Sequence, residues 1–183
     1  MIKFTELELS GVQLIEADPF LDERGIFFRH FCHNEFFKAG IDCDIKQTNV
    51  SINKKKHTLR GFHYQVEPYQ EAKTLFCMTG SFHIKIVDLR NTSNTFLKHI
   101  SVDLKNNEFK SLHIPKGCAV AFLTLEDNSS MLYYMYEFYK NSAYTGFRYN
   151  DPAFNFNWPA AADVISEKDL NFSDFNIKEF FTD

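Results

Sequence analysis

The sequence has no excess of basic residues. Its 20 Lys and Arg are outnumbered by 24 Asp and Glu, which gives a net charge of −4 and an isoelectric point near 6.0. A domain that binds nucleic acid through its phosphates normally carries a basic patch and an isoelectric point above about 9. The composition therefore argues against a nucleic-acid partner.

A long hydrophobic run is also missing. The longest predominantly apolar stretch, 118–125, is far shorter than the ~20 residues that a membrane-spanning helix needs. The first residues include Lys3, Glu6 and Glu8, where a secretory signal peptide is apolar. We therefore expect a soluble, cytoplasmic protein without a membrane partner.

Cysteine is scarce and has no metal-binding spacing. The 4 cysteines form no CxxC pair and lie in apolar or strand-like surroundings, which favours reduced packing residues over a disulfide or zinc framework. No repeat, low-complexity tract or Pro/Ser-rich linker divides the chain. We expect one domain spanning 1–183, with no structural metal.

Apolar and aromatic residues are abundant. The chain is 44% hydrophobic and contains 21 Phe, enough to exclude a disordered protein and to build one core. Turn signals separate short stretches rich in Ile, Val, Phe, Thr and Tyr, which predict strands at 2–8, 11–16, 26–31, 45–52, 58–64, 74–79, 81–88, 96–104, 111–115, 119–125 and 131–139. Helix signals are confined to 34–39, with Asn34 as N-cap and Gly40 as stop, and to the segment after Ser166. The pattern predicts an all-β sandwich or barrel with a few short helices.

The densest polar cluster interrupts this strand series at 60–65 and 70–73. Arg60 and His63 have opposite parity on a strand, so a bend or bulge at Gly61 would direct both toward one cavity. His63 is the best candidate for a base, because an imidazole takes up a proton near neutral pH. Taken singly, each of these residues also has a purely structural interpretation, as a satisfied core histidine or a solvated charge.

Several segments, in order and spacing, resemble those of the dTDP-4-dehydrorhamnose 3,5-epimerase family. They span nearly the whole chain: Asp22-x-Arg24-Gly25-x-Phe27, Gln47-x-Asn49-x-Ser51, Arg60-Gly61-x-His63-Tyr64-Gln65, Lys73, Val87-Asp88-Leu89-Arg90, Ile114-Pro115-x-Gly117, Leu132-Tyr133, Asn150-Asp151-Pro152, Trp158-Pro159 and Ile165-Ser166-x-Lys168-Asp169. The resemblance implies a cupin-type jelly roll, a homodimer, and a dTDP-4-keto-6-deoxyhexose substrate. It also implies that the reaction takes place without a metal ion and without an organic cofactor.

The resemblance also implies catalytic roles. His63 is the base, Asp169 holds its tautomer, Lys73 steadies an enolate oxygen, and Tyr133 delivers a proton from the other face. The implied substrate-binding residues are Arg24 and Arg60 for the diphosphate, Gln47 and Asn49 for the thymine, Phe27 for stacking on the base, and Arg29, His83, Val120, Tyr139 and Lys168 around them. An alternative remains for Gln47 and Asn49, whose side chains could serve only to satisfy the hydrogen-bonding groups at strand ends. The alternative for Tyr133 is that it only fills the core.

Three positions depart from the family pattern. Val120 stands where a pocket histidine is usual, His83 where an aspartate is usual, and Arg29 where a glutamate is usual. Val120 also removes a histidine position that metal-binding cupins use, which argues against a metal-dependent reaction. Fewer polar partners in the pocket change which sugar hydroxyls can be paired.

These residues predict a cofactor-independent epimerase acting at carbon three, carbon five or both, in deoxysugar biosynthesis. Three alternatives remain open at this stage. One is a mono-epimerase with altered sugar specificity, another is a ketoisomerase that moves the carbonyl between carbons three and four, and the last is a non-catalytic nucleotide-sugar-binding homologue.

Overall fold

Two antiparallel β-sheets face each other and hold the core between them. A computed structural model of the chain describes residues 2–180, and Met1 and 181–183 of the predicted domain lie outside the described residues. The strands are β1 (Ile2–Glu6), β2 (Gln13–Ala17), β3 (Phe20–Asp22), β4 (Gly25–Phe27), β5 (Gln47–Asn53), β6 (Leu59–Gln65), β7 (Lys73–Thr79), β8 (Ser81–Asp88), β9 (His99–Lys105), β10 (Lys110–Ile114), β11 (Cys118–Thr124), β12 (Ser129–Met135) and β13 (Tyr144–Gly146). The helices are α1 (His33–Lys38), α2 (Glu167–Leu170) and a final 3₁₀ turn (Ile177–Phe180).

The chain crosses repeatedly from one sheet to the other. The first sheet has 6 strands in the order β1-β2-β10-β7-β12-β5, and the second has 5 in the order β13-β6-β11-β8-β9. Consecutive strands such as β5, β6, β7 and β8 lie in alternating sheets, as a jelly roll requires. The predicted all-β jelly roll with a few short helices is confirmed.

The side chains of β8 show how the sheets make the core. Phe82, Ile84 and Ile86 are fully buried between the sheets, as their period-two spacing predicts. His83 and Lys85 lie on the opposite face, where both contact the ring of Trp158. One face of this sheet therefore looks into the jelly roll and the other is covered by the chain that follows β13.

Both predicted helical segments form, with one correction. The N-cap of α1 is Cys32 rather than Asn34, and its side chain makes no capping hydrogen bond. Gly40 follows the helix with φ +80°, the left-handed conformation that ends helices, as predicted. At α2, the Ser166 hydroxyl accepts the backbone N–H of Asp169 at 3.1 Å.

The predicted strand 26–31 is wrong beyond Phe27. Residues 25–27 pair only with Phe20–Asp22, forming a short hairpin of β3 and β4. The residues that follow are apolar because they pack: Phe28 contacts the rings of Phe76 and Phe109, and Phe31 contacts Phe36. Apolar content without a pairing partner does not make a strand.

Two further findings concern the described part of the chain. The 4 cysteines are free thiols, and Cys77 and Cys118 are buried in the core, as packing residues. Between residues 2 and 180, none of the helices is long and apolar enough to cross a membrane.

Candidate active site

A cavity of about 550 Å³ opens between the two sheets. β5, β7 and β12 form one wall, and β6, β11, β13 and the helix α2 form the other. Its volume falls within the range of small-molecule sites. Many of the residues singled out from the sequence line it: Gln47, Asn49, Arg60, His63, Lys73, Val120, Tyr133, Tyr139 and Lys168.

A bulge in β6 directs Arg60 and His63 into this cavity together. In the ladder with β11, His63 is opposite Val120 while Arg60 is opposite Phe122, so β6 carries one extra residue there. Gly61 lies in the bulge with φ +110°, and a Cβ atom on it would lie 2.5 Å from the Val120 carbonyl oxygen. Only glycine fits this position, and the bend predicted there is confirmed.

A buried carboxylate orients the imidazole of His63. Asp169 Oδ1 lies 2.7 Å from Nε2 of His63, and Oδ2 accepts the backbone N–H of Gly61 at 3.1 Å. Burial opposes ionisation of Asp169 and by itself would raise its pKa. The hydrogen bond and charge of His63 outweigh this effect, together with hydrogen bonds from Gly61 and Ser166, so the pKa of Asp169 lies below the usual value. The ionised carboxylate keeps a proton on Nε2 and leaves the other ring nitrogen free to take one.

Aromatic rings enclose the same imidazole. Tyr144 and Phe172 lie 5.1 and 5.9 Å from the His63 ring, measured between centroids. Lys168 Nζ lies 4.4 Å above the Tyr144 ring, a cation–π distance. The sequence gives no signal for Tyr144, because β13 is too short to be recognised as a strand and nothing local separates this tyrosine from the others.

Tyr133 enters the cavity from the opposite sheet. It lies on β12, paired with Asn49 of β5 and Leu75 of β7, whereas His63 lies on β6. Burial raises the pKa of its phenol, and the nearby charge of Arg60 only partly offsets this. A phenol held in this way remains protonated at neutral pH and can act as an acid.

Lys73, the first residue of β7, has a carboxylate beside it. Its Nζ lies 2.7 Å from Oε1 of Glu71, whose side chain is almost completely buried and also lines the cavity. The polar cluster at 70–73 marks this segment in the sequence, but the burial of Glu71 is evident only in the fold.

Uncharged groups, one a side chain and the other a backbone N–H, hold two of the proposed binding residues. Arg60 Nε donates to Oδ1 of Asn53 at 2.9 Å, which leaves the rest of the guanidinium available to a ligand. Gln47 Oε1 accepts the backbone N–H of Tyr139 at 2.6 Å. The side-chain oxygen of Gln47 therefore has the structural role of satisfying a backbone group, while its amide N–H groups remain available to a ligand.

The chain also matches a known protein family over most of its length. The family model described as dTDP-4-dehydrorhamnose 3,5-epimerase matches residues 6–176. The chain belongs to this epimerase family.

Individual relatives match over nearly their whole length. The dTDP-4-dehydrorhamnose 3,5-epimerase of Shigella flexneri is 34% identical over 175 residues, covering 95% of this chain and 96% of the relative. The crystal structure of the Bacillus anthracis enzyme, with TDP and PPi bound, superposes with a TM-score of 0.92 at 29% identity, covering 96% of this chain and 100% of that one. The structure of a 3′-monoepimerase from Streptomyces bikiniensis in complex with dTDP-quinovose superposes with a TM-score of 0.85 at 27% identity. The match covers 92% of this chain and 85% of that one. Membership of this family makes the chain an isomerase of the epimerase type.

Among the positions that depart from the family pattern, His83 lies outside the cavity, contrary to expectation. Side chains alternate along β8, and His83 points away from the core that Phe82 and Ile84 form. Its Nδ1 lies 2.6 Å from Oδ1 of Asp103 on β9. Val120 does line the cavity, beside His63, so the change of pocket polarity comes from Val120.

The hairpin residues also lie away from this chain's cavity. Arg24 is paired with Asp22 and its side chain is 82% exposed, while Phe27 is 72% exposed. Arg29 Nη1 lies 3.7 Å from Oε2 of Glu35, next to a second, smaller cavity of about 210 Å³. Within a single chain, these three residues have no access to a ligand bound near His63.

The expected absence of a metal and an organic cofactor stays a prediction. Over residues 2–180, no group of three or more His, Cys, Asp or Glu side chains is arranged to hold a metal ion.

Proposed function

We propose that this protein epimerises a dTDP-linked 4-keto-6-deoxyhexose at carbon three, carbon five or both. One observation carries the proposal: His63, held by Asp169, and Tyr133 reach the same cavity from opposite sheets. Inversion of a carbon needs a base on one side of the sugar and an acid on the other. The cavity supplies both.

The reaction follows from the acidity of protons next to a ketone. The free ring nitrogen of His63 removes the proton from the carbon beside the C4 carbonyl, and the electron pair moves onto the carbonyl oxygen as an enolate. The Lys73 ammonium stabilises this oxygen, since a fixed positive charge in a partly dry site is a large catalytic contribution. The Tyr133 phenol then returns a proton to the opposite face, and solvent restores both side chains.

Unpaired cations in the cavity suit the nucleotide part of the substrate. The Arg60 guanidinium is held by the neutral Asn53, and Lys168 lies over a ring, so both charges are available to a diphosphate. Asn49 and the amide N–H groups of Gln47 offer the donors and acceptors that a thymine edge requires.

A single epimerisation is the second candidate. Val120 places an apolar side chain beside His63, where the family pattern has a histidine, and a 3′-monoepimerase is among the structures similar to this chain. Loss of one polar partner weakens the hold on one sugar orientation, which would restrict which carbon the base reaches.

Proton exchange tests both candidates. The protein is incubated with dTDP-4-keto-6-deoxyglucose in deuterated water, and NMR follows deuterium at carbons three and five. We expect incorporation at one or both, with epimerised product. Absence of exchange at both carbons would overturn the proposal for this substrate, and a 3-keto product would indicate a ketoisomerase instead.

We also infer a homodimer in which the β3–β4 hairpin packs on a second copy. Leu21, Ile26 and Phe27 are each more than half exposed on a two-stranded hairpin, which is marginally stable by itself. Seating this hairpin against a partner would bury these residues and bring Arg24 toward the partner's cavity, as the family resemblance implies.

Sedimentation equilibrium of the wild type and of Ile26→Asp tests the dimer. We expect a dimer for the wild type and a monomer for the variant, while Val66→Asp, an exposed apolar position in the loop after β6, remains dimeric. A monomeric wild type would contradict the inference.

A further inference from the structure

The cavity contains a buried carboxylate that the reaction described above does not use. The Glu71 side chain is 1% exposed and the Lys73 side chain 12% exposed, and Oε1 of Glu71 lies 2.7 Å from Nζ of Lys73. Neither oxygen of Glu71 makes a well-directed hydrogen bond with any of the residues 2–180. The short contact is therefore an ion pair whose orientation falls outside hydrogen-bond geometry, and it leaves the carboxylate with unused acceptor capacity.

The backbone holds this pair in place. The Ala72 carbonyl accepts the N–H of Tyr136 at 3.1 Å, and Lys73 is paired with Met135 on one side and Ile114 on the other. Glu71 and Lys73 are two residues apart on an extended segment, so their side chains point to the same face. The ion pair is thus built into the start of β7.

A charge buried this deeply is retained only when it is paired, because its desolvation is costly. Two such carboxylates lie at this site, Glu71 in the cavity lining and Asp169 behind His63, and each one contacts a group of the proposed chemistry. Arg60 and Lys168, by contrast, are held by a neutral amide and an aromatic ring.

We propose that Glu71 is a positioning residue that fixes the Lys73 ammonium for the sugar oxygen. This inference rests on the proposed epimerisation. A lysine side chain has a long flexible stem, and the ion pair restricts its Nζ to one side of the cavity, leaving its N–H donors for the enolate oxygen. Because Glu71 also balances the charge of Lys73, the substrate diphosphate is attracted to Arg60 and Lys168 instead.

Steady-state kinetics of Glu71→Gln provide the first test. The amide preserves shape but removes the ion pair, so the ammonium is no longer held. We expect kcat to fall about tenfold to a hundredfold, with KM changed by less than about threefold, because binding of the nucleotide does not depend on Glu71. The control Glu67→Gln, an exposed glutamate in the same loop, changes neither constant.

A second comparison separates positioning from a general effect on folding. In Lys73→Met there is no ammonium to hold, so adding Glu71→Gln should leave the residual deuterium-exchange rate unchanged within about twofold. This pair also serves if Glu71→Gln alone fails to fold, because the double variant carries no unpaired charge.

Two results would overturn the inference. One is a folded Glu71→Gln variant with the wild-type kcat. The other is a tenfold further loss when Glu71→Gln is added to Lys73→Met, since Glu71 would then act independently of Lys73. If the wild type itself exchanges no proton with any keto sugar, the proposed function fails instead, and the two failures are distinguishable.

Discussion

The carboxylate of Asp169 binds the imidazole of His63 and also the backbone bulge that aims it. Oδ1 lies 2.7 Å from Nε2 of His63, 106 positions earlier in the chain, and Oδ2 lies 3.1 Å from the backbone nitrogen of Gly61. One carboxylate therefore couples the orientation of the proposed base to the path of β6. The position of the base depends on α2, the short helix that carries Asp169.

Replacing Asp169 by asparagine tests this coupling. The variant keeps the shape but removes the negative charge, and the amide can impose the wrong imidazole tautomer. We expect the rate of deuterium exchange into the keto sugar to fall roughly 10³-fold or more. Glu167→Gln, at an exposed position on the same helix, should keep the wild-type rate. A loss smaller than about tenfold in Asp169→Asn would contradict the proposed role.

Tyr133→Phe separates proton removal from proton return. His63 still faces the cavity in this variant, so exchange from the His63 side should continue, while formation of the inverted product falls about 10²–10⁴-fold. NMR measures exchange and epimer in the same sample. The matched control is Tyr134→Phe, the next residue on β12, whose hydroxyl contacts His30 on the other face. Equal product formation by Tyr133→Phe and the wild type would exclude Tyr133 as the acid.

Gly61→Ala compared with Gly40→Ala isolates the close approach of β6 and β11. Both glycines have positive φ, but a Cβ on Gly40 meets nothing within 4 Å, whereas one on Gly61 lies 2.5 Å from a carbonyl oxygen. We expect urea unfolding to show a loss of roughly 1 kcal/mol for Gly40→Ala and roughly 2–4 kcal/mol for Gly61→Ala. Catalytic activity should fall only in Gly61→Ala, and equal stability losses would contradict the explanation.

One buried histidine, His113, and one partly buried histidine, His30, predict a loss of stability in acid. Burial lowers the pKa of His30 and His113 from 6.5 to about 4. Between these values the unfolded chain binds protons that the folded chain does not, so stability is full above pH 6.5 and falls as the pH drops toward 4. Each histidine contributes up to about 3 kcal/mol of this loss.

Urea unfolding across this pH range provides the measurement. His113→Asn removes one of the histidines whose pKa is lowered by burial, a group that also includes His99, and should therefore flatten part of the slope. A variant that retains the full wild-type slope would show that other groups cause the acid sensitivity.

Local patterns in the sequence predicted much of the fold, although some elements had no local signal. Alternation in 81–88 and turn signals indicated most strands within a few residues, whereas β3 and β13 were too short to detect. The same alternation places His83 away from Phe82 and Ile84, so its absence from the cavity follows from parity. The family resemblance had suggested a pocket position, but strand parity decides which face a side chain reaches.

Local sequence patterns were enough for the all-β class, the glycine at the bulge of β6, and a set of candidate polar residues around His63. Which of these residues lie together depends on the folded chain, because packing of the distant helix α2 against β6 brings Asp169 to His63. The Glu71–Lys73 pair is close in sequence, yet its importance comes from burial between two sheets, which no local pattern reports. Burial depends on strands far along the chain. A buried carboxylate has a high desolvation cost, and pairing with the lysine offsets this cost.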